Sequence, residues 1–148
     1  MEVKFNAATT QRPQGVRMMD APLVTIDIFS FIEQIRKEKK WKETDRNAIT
    51  VFKTNGFRIV LIALRKGAEM VKHIAAGMIS IQMLKGKMLL NTNEQIVHLG
   101  KGQMLALHEG IPHSLLAKKK TIFLLTLTTT LAENSAGTNP KLIWDHIL

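Results

Sequence analysis

Short apolar runs that recur about every ten residues dominate the chain from residue 48 onward. The runs are too short for typical helices, and glycine, asparagine or lysine residues typical of turns separate most of them. The pair Asn55-Gly56 is a strong turn signal, because both residues tolerate the positive φ of a tight hairpin. Evenly spaced short strands predict an all-β fold, either a barrel or a sandwich. The predicted strands are 48–53, 57–64, 70–74, 78–84, 87–90, 95–99, 103–107, 113–117 and 121–128.

The segment before the strands has a different pattern. Isoleucine and phenylalanine recur at intervals of three and four residues between positions 28 and 35. This spacing predicts an amphipathic helix that is capped by Thr25 or Asp27 and ends near Lys40. The first residues are polar and broken by proline and glycine, which indicates an irregular lead-in. We therefore divide the single domain into an N-terminal arm (1–24), a helix with its linker (25–47), a β-barrel (48–129) and a C-terminal tail (130–148).

Composition is that of an ordinary globular protein. Of the 148 residues, 45% are hydrophobic and 22% are charged. None is cysteine, which excludes a disulfide framework, a thiolate metal site and a catalytic thiol. The first residues lack the apolar core of a signal peptide, and the apolar run 59–64 is far too short to span a bilayer. We therefore expect a cytoplasmic protein with no membrane partner.

Basic residues exceed acidic ones and give the chain a formal net charge of +9. They form two local clusters, one at 36–42 around Trp41 and one at 118–120. The first cluster falls where the predicted helix ends, a position that favours cations, and the second falls between two predicted strands. Aromatic residues, which stack on bases, make up only 5% of the chain. Solvated faces are therefore favoured over a nucleic-acid site, so nucleic acid is not the expected partner. A nucleic-acid-associated or regulatory role, suggested only by the charge, ranks last among the possible functions.

Two histidines stand in glycine-spaced frames within the β-rich part. The first frame runs from Gly67 to Gly86 and contains His73, and the second runs from Gly102 to His113. The second frame ends in the sequence Gly-Ile-Pro-His. The two frames, in this sequence order within a β-rich chain, resemble the two motifs of the cupin superfamily. The resemblance covers roughly residues 48–129. It implies an antiparallel jelly-roll barrel, also called a double-stranded β-helix, with a pocket at its mouth and often a dimeric assembly.

The resemblance also implies where metal ligands would stand. Cupins with a complete site hold a divalent metal through two histidines and a carboxylate of the first motif and one histidine of the second. Here His73 and His113 occupy histidine positions, whereas Ala75 and Ile79 stand at the positions of the other histidine and the carboxylate. Zinc usually takes three or four protein ligands, and non-haem iron takes two histidines with a carboxylate. The cofactor therefore stays undetermined, either none or a divalent metal (Zn, Fe, Mn or Ni) on His73 and His113.

Strand alternation predicts which side chains line the implied pocket. Odd-numbered positions from 73 to 83 share one face of a sheet if no bulge intervenes, and His113 and Leu115 share another. His108 lies on the loop that leads to His113, within reach of the mouth. Apart from the imidazoles, the predicted lining is mostly apolar. The predicted pocket residues are His73, Ala75, Ile79, Ile81, Met83, His108, His113 and Leu115.

A retained pocket frame beside missing metal ligands favours a protein that binds a small, partly apolar molecule. The alternative is a metal-dependent enzyme, an oxygenase or isomerase, in which His73 and His113 are ligands and the metal acts as a Lewis acid or activates oxygen or water. Whether the protein is catalytic stays open. We expect a homodimer, because a second copy can cover the strand edges, with the N-terminal arm and the tail around Trp144 as candidate contacts.

Overall fold

A computed structural model of the protein describes residues 4–6 and 17–128. The described residues form eleven strands and two helices. In chain order these are β1 (Lys4–Asn6), β2 (Arg17–Asp20), α1 (Ile28–Lys37), α2 (Lys39–Glu43), β3 (Arg46–Thr54), β4 (Phe57–Leu64), β5 (Glu69–His73), β6 (Ile79–Lys85), β7 (Lys87–Thr92), β8 (Ile96–Gly100), β9 (Met104–Leu107), β10 (His113–Ala117) and β11 (Thr121–Thr128). All nine predicted strands are confirmed, from β3 to β11.

The predicted helix is present but is divided in two. Asp27 caps α1, since its carboxylate accepts a hydrogen bond from the Ser30 backbone N–H at 3.3 Å. The helix ends at Lys37. The next residue, Glu38, has an extended backbone, and its buried carboxylate accepts a 2.8 Å hydrogen bond from Asn47 Nδ2. This tertiary contact explains the division, which helical periodicity does not reveal. Neither helix of the described chain is long and apolar enough to cross a membrane.

The N-terminal arm is more regular than the sequence predicts. Strands β1 and β2 pair antiparallel, so the prediction of an irregular lead-in is wrong for residues 4–6 and 17–20. Strands of three and four residues are too short to show the alternation on which a prediction depends. The C-terminal tail, with Trp144, lies outside the described residues.

Nine strands form two facing antiparallel sheets. The five-stranded sheet has the order β3-β4-β11-β6-β9, and the four-stranded sheet has the order β5-β10-β7-β8. Apolar side chains from both sheets, among them Ile81, Leu90 and Phe123, fill the space between them. Ile35 and Trp41 of the helical segment join a second apolar cluster with Ile49 and other residues of the five-stranded sheet.

Edge strands bound both sides of the two sheets, and we call the side at which β8 and β9 lie the open side. Among the described strands, β8 pairs only with β7, and β9 pairs only with β6, so no strand-to-strand ladder joins β8 to β9. The sheets also have two distinct ends. Strand β10 begins at His113 and is followed by the turn 118–120. We call the end at which β10 begins the histidine end, and the end that contains the turn 118–120 the lysine end.

Candidate functional site

The structure brings the two histidines of the glycine frames together. His73 ends β5, His113 begins β10, and the register of these antiparallel strands makes the two residues direct partners. Side chains directly opposite each other on neighbouring strands lie on the same face of the sheet. Their ring centres are consequently 4.3 Å apart with an angle of 60° between the ring planes. His113 is buried and His73 is half-buried.

Both rings are oriented by the same kind of hydrogen bond. Nδ1 of His73 donates to the carbonyl oxygen of Val71 at 2.9 Å, and Nδ1 of His113 donates to the carbonyl oxygen of Ile111 at 2.9 Å. A carbonyl oxygen only accepts, so the hydrogen of each neutral ring is on Nδ1 and the lone pair is on Nε2. The backbone thus fixes the ring orientation and the tautomer of the pair.

The cavity beside the histidine pair is very small. Its volume is about 10 Å³, which is space for roughly one water molecule. Six of the eight predicted pocket residues line it, whereas Met83 lies in the core away from it and His108 is exposed on its loop. Strand alternation missed the lining that the neighbouring strands contribute. The lining residues are Met70, His73, Ala75, Ile79, Ile81, His113, Leu115, Phe123, Leu125 and Leu127.

The residues around this cavity do not fit a resident divalent metal. If two imidazoles bind one ion with metal–nitrogen bonds of about 2.1 Å and an angle of about 90° at the metal, their ring centres are roughly 4.5 Å apart. The observed distance of 4.3 Å between the ring centres of His73 and His113 would therefore suit a shared ion. The number of ligands is too small, because Ala75 and Ile79 present only hydrocarbon to the cavity and leave the two imidazoles as its metal-binding groups. No group of three or more histidine, aspartate, glutamate or cysteine residues in the described chain is arranged to hold a metal ion.

The surroundings of His113 change its acid–base behaviour. Burial lowers the pKa of its imidazole, and the neighbouring His73 lowers this pKa further, whereas the hydrogen bond to Ile111 opposes the shift. The folded protein therefore takes up this proton only below the pH, about 6.5, at which an unfolded chain does. His113 is accordingly neutral at neutral pH.

We expect acid to destabilise the protein partly through His113. Between pH 6.5 and the lowered pKa, the unfolded chain binds the proton and the folded chain does not, so the free energy of unfolding falls by up to about 1.4 kcal/mol per pH unit. Urea unfolding from pH 7.5 to 5.5 measures this slope, which should be shallower in His113→Gln. The exposed His98 offers the control variant His98→Gln, which should keep the wild-type slope. An unchanged slope in His113→Gln contradicts the prediction.

A much larger cavity lies on the open side of the sheets. Its volume is about 450 Å³, and it extends between β7, β8 and β9 to the loop before His113. Inward-facing leucine and valine side chains form much of the wall, and the polar β7–β8 turn contributes the rest. Alternation within these strands identifies the apolar positions, but the sequence does not reveal the gap between β8 and β9. The lining residues are Leu90, Thr92, Asn93, Glu94, Gln95, Val97, Leu105, Ala106, Leu107, Gly110, Ile111 and Pro112.

The two cavities are neighbours at the histidine end. Thr92, in the wall of the larger cavity, is the direct cross-strand partner of His113. Leu90, in the same wall, is the partner of Leu115, which lines the small cavity. A molecule in the larger cavity is therefore one strand away from the imidazole pair.

Comparison with known proteins shows which structures this chain is similar to. The sequence matches no protein-family model and no curated protein. A conserved protein of unknown function from Streptococcus pyogenes is 25% identical, over 60% of this chain and 78% of that one, with a TM-score of 0.56. A cupin-2 domain containing protein from Shewanella frigidimarina is 15% identical over 70% and 93%, with a TM-score of 0.58. A salicylate 1,2-dioxygenase from Pseudaminobacter salicylatoxidans is 22% identical over 57% and 26%, with a TM-score of 0.52.

The protein has the cupin fold. The facing antiparallel sheets and the likeness to cupin structures confirm the all-β jelly-roll architecture that the two glycine frames predicted. Within that fold, two oriented imidazoles share a small cavity with Ala75 and Ile79, the residues at which the resemblance implies the other ligands. Sequence identities this low establish the fold alone, so the function has to be argued from the site.

Proposed function

We propose that this cupin-fold protein binds a small, partly apolar molecule in the larger cavity at the histidine end. The observation that carries the proposal is the volume of about 450 Å³, which falls in the usual range of ligand sites, roughly 300–1,000 Å³. The small cavity beside the imidazoles, at about 10 Å³, has no room for such a molecule. The ligand therefore lies beside the histidine pair, in a cavity that none of the eight predicted pocket residues lines.

The lining suits a ligand with an apolar body and one polar end. Val97, Leu105 and Leu107 offer an apolar surface on β8 and β9. The β7–β8 turn offers amide groups and the carboxylate of Glu94 at the other side. Ligand sites of this kind gain affinity from apolar burial and specificity from a few polar groups. We infer that the apolar body points between the sheets and the polar end points to the turn.

Filling the cavity should weaken binding. We expect phenylnaphthylamine, a neutral fluorescent probe of apolar sites, to bind at one saturable site, and Leu105→Trp to weaken it at least about tenfold. The control is Met104→Trp, because Met104 is the preceding residue of β9 and its side chain is exposed.

A melting-temperature screen of metabolites tests for the natural ligand. A ligand at about a hundred times its Kd should stabilise the wild type by about 2.7 kcal/mol, which raises the melting temperature by roughly 5–10 °C.

Three outcomes contradict this proposal. Equal probe binding by Leu105→Trp and the wild type places the probe elsewhere, and equal losses in both tryptophan variants show a general effect on the fold. A metabolite panel that leaves the melting temperature of a folded, monodisperse sample unchanged also counts against it.

We also propose a homodimer in the cytoplasm. Strand β5 forms one edge of its sheet, and the exposed side chains of Val71, Ile74 and Met78 lie on it or just beyond it. Unpaired edges with apolar neighbours favour association with a second copy. Sedimentation equilibrium tests the dimer, since it requires a mass twice that of the 16.7 kDa chain.

A further inference from the structure

Seven lysines meet at the lysine end of the molecule. They belong to four different turns, those between β4 and β5, β6 and β7, β8 and β9, and β10 and β11. All seven side chains are exposed. We call this set the lysine cluster: Lys66, Lys85, Lys87, Lys101, Lys118, Lys119 and Lys120. Only the run 118–120 is evident as a cluster in the sequence, because the other four lysines belong to three turns that are distant from this run along the chain.

Backbone hydrogen bonds hold two of these turns against each other. The amides of Lys118 and Lys119 both donate to the carbonyl oxygen of Lys87, at 2.9 and 3.3 Å. The hydroxyl oxygen of Thr121 lies between the two turns, 3.0 Å from the same carbonyl oxygen and 2.8 Å from that of Lys119. The β6–β7 and β10–β11 turns therefore form one rigid unit that carries five of the seven lysines.

The other two turns adjoin this unit. The amide of Gly67, beside Lys66, donates to the carbonyl oxygen of Ala117 at 2.8 Å. Gly100, beside Lys101, is the β-ladder partner of Lys87. Neighbouring strands are about 4.8 Å apart and facing sheets about 10 Å apart, so the cluster covers a surface roughly 15 Å wide.

Among the residues that the structure describes, negative charge at this end is sparse. The nearby carboxylates are Asp45, which pairs with Arg46 at 3.0 Å, and Glu69 at the start of β5. No ion pair within the described part of the chain involves a member of the lysine cluster. Seven exposed ammonium groups this close together raise the local positive potential and favour a partner with many negative charges.

The basic run near Trp41 approaches the same end. Arg65, which begins the β4–β5 turn, lies over the Trp41 ring with its guanidinium carbon 4.3 Å from the ring centre. Its NH2 group also donates to the Trp41 carbonyl oxygen at 2.7 Å. Helix α2, with the exposed Lys42, is thereby held beside the lysine cluster. The two basic clusters, far apart in sequence, thus adjoin one surface.

We propose, against the expectation from the sequence alone, that the lysine cluster binds the phosphate backbone of double-helical nucleic acid. The four turns carry no aromatic side chain for stacking on single-stranded bases and no exposed large apolar side chain for insertion into a membrane. Double-stranded DNA carries one charge per about 1.7 Å of its axis, so a surface of this width faces several phosphates. The binding is independent of base sequence, because nothing in these turns is placed to read base edges.

Salt-dependent binding to a duplex tests the proposal on the full chain. With a labelled DNA duplex of about 20 base pairs, we expect the logarithm of the affinity to fall as the logarithm of the salt concentration rises. The slope should be about −3.6 or steeper, which corresponds to contacts with about four or more phosphates. The triple variant K118Q/K119Q/K120Q should make that slope shallower by about 2.7 and weaken binding at about 50 mM salt at least tenfold. K85Q/K101Q, on other turns, should also weaken it.

The matched control is K53Q/R58Q/K72Q, which removes the same charge near the histidine end. It should change the affinity less than about threefold. The proposal is overturned if the folded wild type does not bind the duplex at low salt, or if control and cluster variants lose affinity equally. Tighter binding to the single strand, or binding to phosphatidylserine vesicles but not to the duplex, would assign the surface to another partner and overturn it as well.

Discussion

Replacing Gly86 with alanine is expected to lower the free energy of unfolding by roughly 2–5 kcal/mol. Gly86 lies between β6 and β7 with φ at +88°, a conformation that costs an L-residue roughly 1–2 kcal/mol. A β-carbon there would also overlap the Lys120 carbonyl oxygen and lie 2.8 Å from Cα of Thr121. Because these neighbours are backbone atoms of a packed turn, relieving the overlap adds roughly 1–3 kcal/mol.

Gly102→Ala separates the two contributions. Gly102 has nearly the same φ, +85°, but no atom lies within 4 Å of the position its β-carbon would take. Only the conformational cost remains, so we expect a loss of about 1–2 kcal/mol. Urea unfolding of both variants measures the difference. Equal losses would show that the β6–β7 and β10–β11 turns do not pack as closely as described, and would also weaken the argument for one rigid lysine cluster.

The strands were predictable because their signal is local. Each run from β3 to β11 shows its apolar residues and its turn residues within ten positions. Burial follows the pattern less closely, since β4 buries five consecutive residues and the apolar Ile96 and Met104 are exposed. The division of the helix was not predictable, because it depends on a hydrogen bond between Glu38 and Asn47, which belongs to a different element. Such contacts arise from packing and leave no periodic trace.

The candidate site was predictable only in part. Alternation placed His73 and His113 on inward faces, and the cross-strand register brings them together. Alternation does not tell which side chains of the opposite sheet approach that face, so Phe123 and its neighbours on β11 were missed. The larger cavity depends on an unpaired gap between β8 and β9, and the lysine cluster depends on which turns meet at one end. Both are properties of the assembled sheets.

Restoring the missing ligands should create a metal site. In the double variant Ala75→His/Ile79→Glu, three imidazoles and one carboxylate would surround the small cavity, because both substituted positions line it with His73 and His113. A four-ligand set holds Zn²⁺ far more tightly than two neutral nitrogens, so we expect a Kd at least about a thousandfold below that of the wild type. The added imidazole overfills the cavity, so the metal-free variant should be less stable by roughly 1–3 kcal/mol.

Calorimetric titration and metal analysis after dialysis measure this gain. The double variant should retain one equivalent of Zn²⁺, and adding His113→Ala should remove most of the affinity because it takes away one ligand. Ile79→Glu alone supplies a carboxylate at a buried position without the third imidazole, and should gain less. Tight binding of one equivalent of metal by the wild type would mean that His73 and His113 hold the ion together with further ligands from elsewhere. A folded double variant that binds no metal would mean that positions 75 and 79 do not face the imidazole pair. Either result would reject the argument that alanine and isoleucine are what keeps this cupin site from holding a divalent ion.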